Sequence, residues 1–82
     1  MGPYIAHMGR VECKGSSVQK IMLPKKIAGD YSVFTSGNGG SGGALALSDE
    51  SFSISKKTPE SFVITSSNSR SRQTIDFLVI AA

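Results

Sequence analysis

Residues 60–82, ESFVITSSNSRSRQTIDFLVIAA, hold two β-type runs on either side of a polar connection. The first run, 61–66, contains Phe62, Val63, Ile64 and Thr65, residue types that suit a pleated, half-buried surface. In the second, 74–82, Ile75, Phe77 and Val79 share one face while Leu78 and Ile80 share the other, because side chains alternate along a strand. A strand apolar on both faces needs cover on both. This run is therefore expected to be a core strand, with Ile75, Phe77, Leu78, Val79 and Ile80 at an oligomer interface.

Working outward, the rest of the chain breaks into short runs of the same kind. Run 4–13 places Ile5, His7, Gly9, Val11 and Cys13 on one face, and Gly9 in its middle signals a bulge or a close backbone approach. A turn at Lys14-Gly15-Ser16 leads to run 18–23, which Pro24 ends because proline cannot donate to a ladder. Run 31–36 follows a connecting loop, 25–30. Residues 37–43, GNGGSGG, read as a mobile surface loop, since glycine has the most backbone freedom to lose. Residues 44–48 suit a short strand, and run 51–56 alternates Phe52 and Ile54 with serines. No window keeps a helical apolar period for three turns. The expected fold is a single all-β domain over 1–82, a small antiparallel β-sandwich of about seven short strands.

Eighty-two residues bury only about 60% of the unfolded chain's surface. Small domains compensate with disulfides, metal or association. Cys13 is the only cysteine and His7 the only histidine, so neither a disulfide within the chain nor a metal site is expected. Association remains, and a homotrimer is the expected state. The net charge of +3 is scattered rather than gathered into a stripe with aromatic partners, which argues against nucleic acid. Residues 1–10 lack a basic segment leading into an unbroken apolar run, and Ala6 stands where a myristoylation motif wants Ser or Thr. No apolar run approaches the ~20 residues a membrane span needs. A soluble protein without membrane insertion is expected, and the lone cysteine suits synthesis in a reducing cytoplasm.

Catalytic chemistry finds little footing. A nucleophilic serine needs a base and a group that orients the base, and His7 lies in a strand-like run with no GxSxG elbow in the chain. The 37–43 glycines lack the Lys-Ser/Thr ending of a phosphate-binding loop. Asp49 and Glu50 are adjacent and read as solvated turn residues. Asp76, inside an apolar strand, reads as a polar edge position or as one half of an ion pair with Arg70, Arg72 or a neighbouring subunit, the ion pair being favoured over a catalytic acid. No cofactor is expected. Carbohydrate recognition fits better, because sugars are held by amides, hydroxyls, cationic donors and aromatic faces on β-scaffold loops. The residues singled out for that role are Asn68, Arg70 and Arg72 in one loop, Lys56 and Lys57 in the preceding turn, and Tyr31 as the stacking aromatic.

The order of motifs also resembles a known family. Ile5-Ala6-His7-Met8-Gly9-Arg10-Val11, a strand ending in Leu23-Pro24, Tyr31-Ser32-Val33, Phe52-Ser53-Ile54, Phe62-Val63-Ile64 and the closing Ile75-Asp76-Phe77-Leu78-Val79-Ile80-Ala81 resemble the C-terminal β-sandwich modules of bacteriophage tail fibres and tailspikes. The likeness spans nearly the whole chain. It departs at the end, where Phe77 stands in place of a frequent tryptophan and no glycine follows Ile80. The resemblance implies a homotrimer in the virion tail, made in the host cytoplasm, that recognises a bacterial surface polysaccharide without catalysis and belongs with the rest of a fibre or spike. It leaves two alternatives: a structural trimerisation cap or virion decoration protein, and a small hydrolase or processing module.

Overall fold

The computed structural model describes residues 2–37 and 51–82. They form six strands: β1 (Tyr4–Glu12), β2 (Val18–Met22), β3 (Tyr31–Gly37), β4 (Phe52–Ser55), β5 (Ser61–Ser66) and β6 (Thr74–Ala81). No helix occurs among the described residues. The expected strand over 44–48 and most of the 37–43 loop lie outside them. Gly37 itself ends β3, paired with Ile75.

Two three-stranded antiparallel sheets are built from these elements, one in the order β1-β6-β3 and the other β2-β5-β4. The two runs of residues 60–82 thus supply the central strand of each sheet. Apart from the β4–β5 hairpin, each connection between consecutive described strands crosses from one sheet to the other. β6 therefore has no neighbour close in sequence, and its pairing with β1 joins the two ends of the chain.

The inward faces explain which residues are buried. Ile75, Phe77, Val79 and Ala81 alternate inward along β6, at 0, 7, 0 and 1% exposure. Phe62 and Ile64 face them from β5, both fully buried. The Phe62 ring meets Phe77 edge-on with centroids 5.6 Å apart, and meets Tyr31 at 6.2 Å, the tilted geometry that aromatic quadrupoles favour. Cys13, Ile21 and Ile27 close the same core. Ile27 comes from the loop after β2, and its amide donates to the Pro59 carbonyl at 2.9 Å.

The register of β1 corrects the expected face of Ile5. β1 slips by one residue against β6 between Ile5 and His7, so that Ile5 pairs with Ile80 and His7 with Val79. Ala6 is the extra residue. A bulge reverses the faces on either side of it: His7, Gly9 and Val11 share the inward side, while Ile5 joins Met8 and Arg10 outside. Gly9 has the second of its two expected roles, a close approach. A Cβ on it would lie 2.6 Å from Phe77 Cζ, and that ring is held by Phe62 and His7 at 5.6 Å each. Gly9→Ala is expected to destabilise the fold by about 1–3 kcal/mol through overpacking, read as a lower urea midpoint. An unchanged midpoint would mean that the ring moves freely.

Candidate functional site

β5 separates two loop-bearing ends. Its six residues, at about 3.3 Å each, set the ends some 17–20 Å apart. Lys56 and Lys57 precede β5, whereas Asn68, Arg70 and Arg72 follow it. The sugar-binding residues singled out in the sequence therefore do not form one patch. They divide between the two ends, because a strand carries the chain across the domain between them.

At the first end, Lys57 acts as a clip. The backbone takes φ 51° at Lys56. Lys57 Nζ donates to Asp30 Oδ1 at 2.9 Å and to the Tyr31 carbonyl at 2.6 Å. It also stands 5.4 Å from the centre of the Tyr31 ring, within cation–π range. Tyr31 is only 4% exposed. Its hydroxyl proton is shared between the Thr58 and Ser61 carbonyls, both at 2.8 Å, and burial raises the phenol's pKa. Tyr31 is thus a core residue tying β3 to the β4–β5 turn, with its ring spent on Phe62 and Lys57.

In the sequence Asp30 reads only as the end of the 25–30 connecting loop. The Lys57 ammonium, with the Tyr31 amide at 2.8 Å, lowers its pKa below the ordinary 3.8. A carboxyl depressed in the fold adds stability above its unfolded pKa and loses it as pH falls through the folded value. Asp30→Asn is accordingly expected to lower the melting temperature slightly at neutral pH and to match the parent in strong acid. Equal melting temperatures across that range would show that the clip contributes nothing. A recess of about 220 Å³ adjoins this end, with Pro3, Asp30, Tyr31, Ser32, Ile80 and Ala82 among its lining.

At the second end the connection 67–73 is pinned rather than loose. Asn68 Oδ1 accepts from the Arg70 amide at 3.1 Å, and the Asn68 amide donates to Ser66 Oγ at 3.0 Å. Ser71 and Gln73 are buried at 0 and 5% exposure, while Arg70 and Arg72 point to solvent. The Cys13 amide donates to the Gln73 carbonyl at 3.0 Å and the Gly15 amide to the Ser71 carbonyl at 2.7 Å. These bonds extend the β1–β6 ladder beyond the strand ends, through a tight turn with positive φ at Lys14 and Gly15. Glu12, Lys14, Arg72 and Thr74 line a recess of about 40 Å³ there.

A third feature is the outer face of the β1-β6-β3 sheet. The register lays out rows across it: Ile5–Ile80–Ser32, Met8–Leu78–Phe34, then Arg10–Asp76–Ser36. Ile5, Met8 and Phe34 are 58, 63 and 58% exposed, and Leu78 and Ile80 are half-buried. Of the expected interface residues, Ile75, Phe77 and Val79 are covered by the chain's own second sheet; Leu78 and Ile80 remain on the open face. Asp76 forms the ion pair expected of it, but with Arg10. Nε lies 2.6 Å from Oδ1 and Nη2 3.3 Å from Oδ2. Among the described residues no group of three or more His, Cys, Asp or Glu side chains could hold a metal.

Comparison with protein-family models and with curated proteins finds no match to this chain.

Proposed function

We propose that the chain is a host-surface recognition module of the kind found at the ends of bacteriophage tail fibres and tailspikes. It serves as a homotrimer in the virion tail and binds bacterial surface glycan through its loops, without catalysis. The observation that carries this reading is the fate of the motifs behind the resemblance. Four of them, around Tyr31, Phe52, Phe62 and Ile75, lie within sandwich strands, as does the Ile5–Val11 motif. The polar connections between them vary freely on such a scaffold.

Trimer contacts fall on the outer face of the β1-β6-β3 sheet. Five apolar side chains, Ile5, Met8, Phe34, Leu78 and Ile80, lie together there, and contiguous exposed apolar patches mark interaction surfaces. The occupant is a second copy of the chain, because the domain is small and its core is only two three-stranded sheets deep. Glycan contacts fall at the end bearing Asn68, Arg70 and Arg72, whose side chains make no ion pair among the described residues.

The apolar face also favours a second reading, a trimerisation cap or decoration protein, which needs the same contact and no ligand. A hydrolase has less to work with: Asp76, the carboxylate such a reading would use, is engaged by Arg10 at two points. A glycan array probed with the chain and with an Asn68/Arg70/Arg72 triple-alanine variant separates these. Binding by the parent and loss in the variant is the expected result. Binding unchanged in the variant would move the site, and no binding by the multimerised parent would replace this reading with the cap.

A further inference from the structure

Beyond the Arg10–Asp76 pair, the outer face of the β1-β6-β3 sheet turns polar, and the ladder continues as Glu12–Thr74 and then as the paired turn and connection bearing Lys14 and Arg72. These four side chains enclose the recess of about 40 Å³. Its backbone is fixed: Cys13, Ser71 and Gln73 are buried beneath it at 2, 0 and 5% exposure. Gln19 Nε2 donates to the Cys13 carbonyl at 3.2 Å and the Ser16 amide donates to the same carbonyl at 3.0 Å, bracing the turn from below. Arg72 lies over the turn, a guanidinium nitrogen 3.9 Å from where a Cβ on Gly15 would stand.

Two cations, one carboxylate and one hydroxyl therefore converge on a rigid support. Among the described residues neither Lys14 nor Arg72 forms an ion pair. The volume is roughly three times the ~10–15 Å³ that one water molecule needs in such a cavity, which suits one small charged group rather than a whole ring. An Arg fork matches the two oxygens of a carboxylate or phosphate, and a neighbouring ammonium adds a point charge. Glu12 is an acceptor, and a sugar hydroxyl beside the anion is a donor it can take.

We infer that this recess binds one anionic group of a surface glycan, a carboxylate or a phosphate, on Arg72 and Lys14, with an adjacent hydroxyl on Glu12 and Thr74. The inference rests on the glycan-binding reading and narrows it to acidic sugars. It also brings Glu12, Lys14 and Thr74 into a site for which only Arg72 was expected, and sets that site at the polar end of the sheet face that carries the apolar patch, beyond the Arg10–Asp76 row.

The experiment titrates the 82-residue chain with three probes: an oligogalacturonate, a glycerol-phosphate oligomer and a neutral maltooligosaccharide. Amide chemical shifts and calorimetry are the readouts. Binding of one acidic probe, with shifts at 12–15 and 71–74 and weakening as salt rises, is expected; which one binds distinguishes carboxylate from phosphate. Arg72→Ala should weaken it by about tenfold or more, as loss of a charge-assisted pair does. Arg72→Lys should fall between, since it keeps the charge and loses the fork. Glu12→Gln should weaken binding by losing the charged acceptor; tighter binding would show that Glu12 only repels the anion and would overturn its role. Equal affinity for the neutral probe, or full affinity in Arg72→Ala and Lys14→Ala, would overturn the inference while the glycan-binding reading stands. Binding to none of these probes, while the array and intact cells are bound, overturns the inference alone. Binding to no glycan and no cell overturns both.

Discussion

Phe77→Asp is expected to leave no folded protein. The ring is 7% exposed and lies between Phe62 and His7, over the backbone of Gly9. A carboxylate there would lie in the apolar core with His7 as its one polar neighbour among the rings that pack on Phe77, and burying a charge so poorly matched costs several kcal/mol. The lost ring adds about 3–5 kcal/mol. A chain of 82 residues has in total about 4–12 kcal/mol of stability to lose, at the usual 0.05–0.15 per residue. The far-UV circular dichroism of the variant should lack the parent's β signature and show no cooperative melt. A cooperative melt near the parent's would mean that Phe77 is not in the core. Phe62→Ala, at the other side of the same contact, should lose about 3–5 kcal/mol and melt far below the parent.

The second large effect is confined to association. Met8 and Phe34 lie on either side of Leu78 on the open sheet face, 63 and 58% exposed. Lysine at both positions places two charges on that face while leaving the inter-sheet core untouched, so folding should survive with a melting temperature set by the monomer. Multi-angle light scattering should give the parent three times the chain mass of 8.6 kDa at micromolar concentration, and the Met8→Lys/Phe34→Lys variant a single chain mass. Like charges brought together at each copy of the contact would prevent reassembly. A parent that stays monomeric would remove the trimer and leave the apolar face to another partner.

The contrast between these two variants shows what periodicity could and could not reveal. Alternation in residues 75–80 correctly separated Ile75, Phe77 and Val79 from Leu78 and Ile80, but both faces looked equally in need of a partner. Only the second sheet, with Phe62 and Ile64 facing β6, distinguishes the face covered within the chain from the face left open. The six strands are legible because polar and Gly-, Pro- or Ser-bearing turns separate short β-type runs, some alternating cleanly as in β4 and others apolar on both faces as in β6. The bulge at Ala6 was not, since an extra alanine in a strand carries no mark of its own, and with it went the face of Ile5.

The candidate sites were read less well, for a related reason. Asp76 was recognised as half of an ion pair, but its partner Arg10 is 66 positions away and becomes visible only when β1 is placed beside β6. The same pairing brings Glu12 and Lys14 to Thr74 and Arg72. Lys57 and Tyr31 suit a ligand by residue type; the place of Lys57 beside the Thr58 turn makes it a clip, and that of Tyr31 at the start of β3 makes it a core residue. Asp30, the other half of that clip, ends the 25–30 loop, and nothing local marks it as the partner of Lys57, 27 positions away.

The central claim is recognition of a bacterial surface through its sugars. The most direct measurement is adsorption of the fluorescently labelled, multimerised chain to a panel of intact bacterial cells, before and after periodate treatment, which cleaves vicinal diols in surface glycans. Several weak sites acting together should raise apparent affinity by about 10²–10⁴-fold over one, enough to register on cells. The account predicts adsorption to at least one strain and its loss after periodate or, for a phosphodiester-linked glycan without vicinal diols, after cold hydrofluoric acid, which cleaves the phosphodiesters. Adsorption to none, or adsorption that neither treatment reduces, would contradict it.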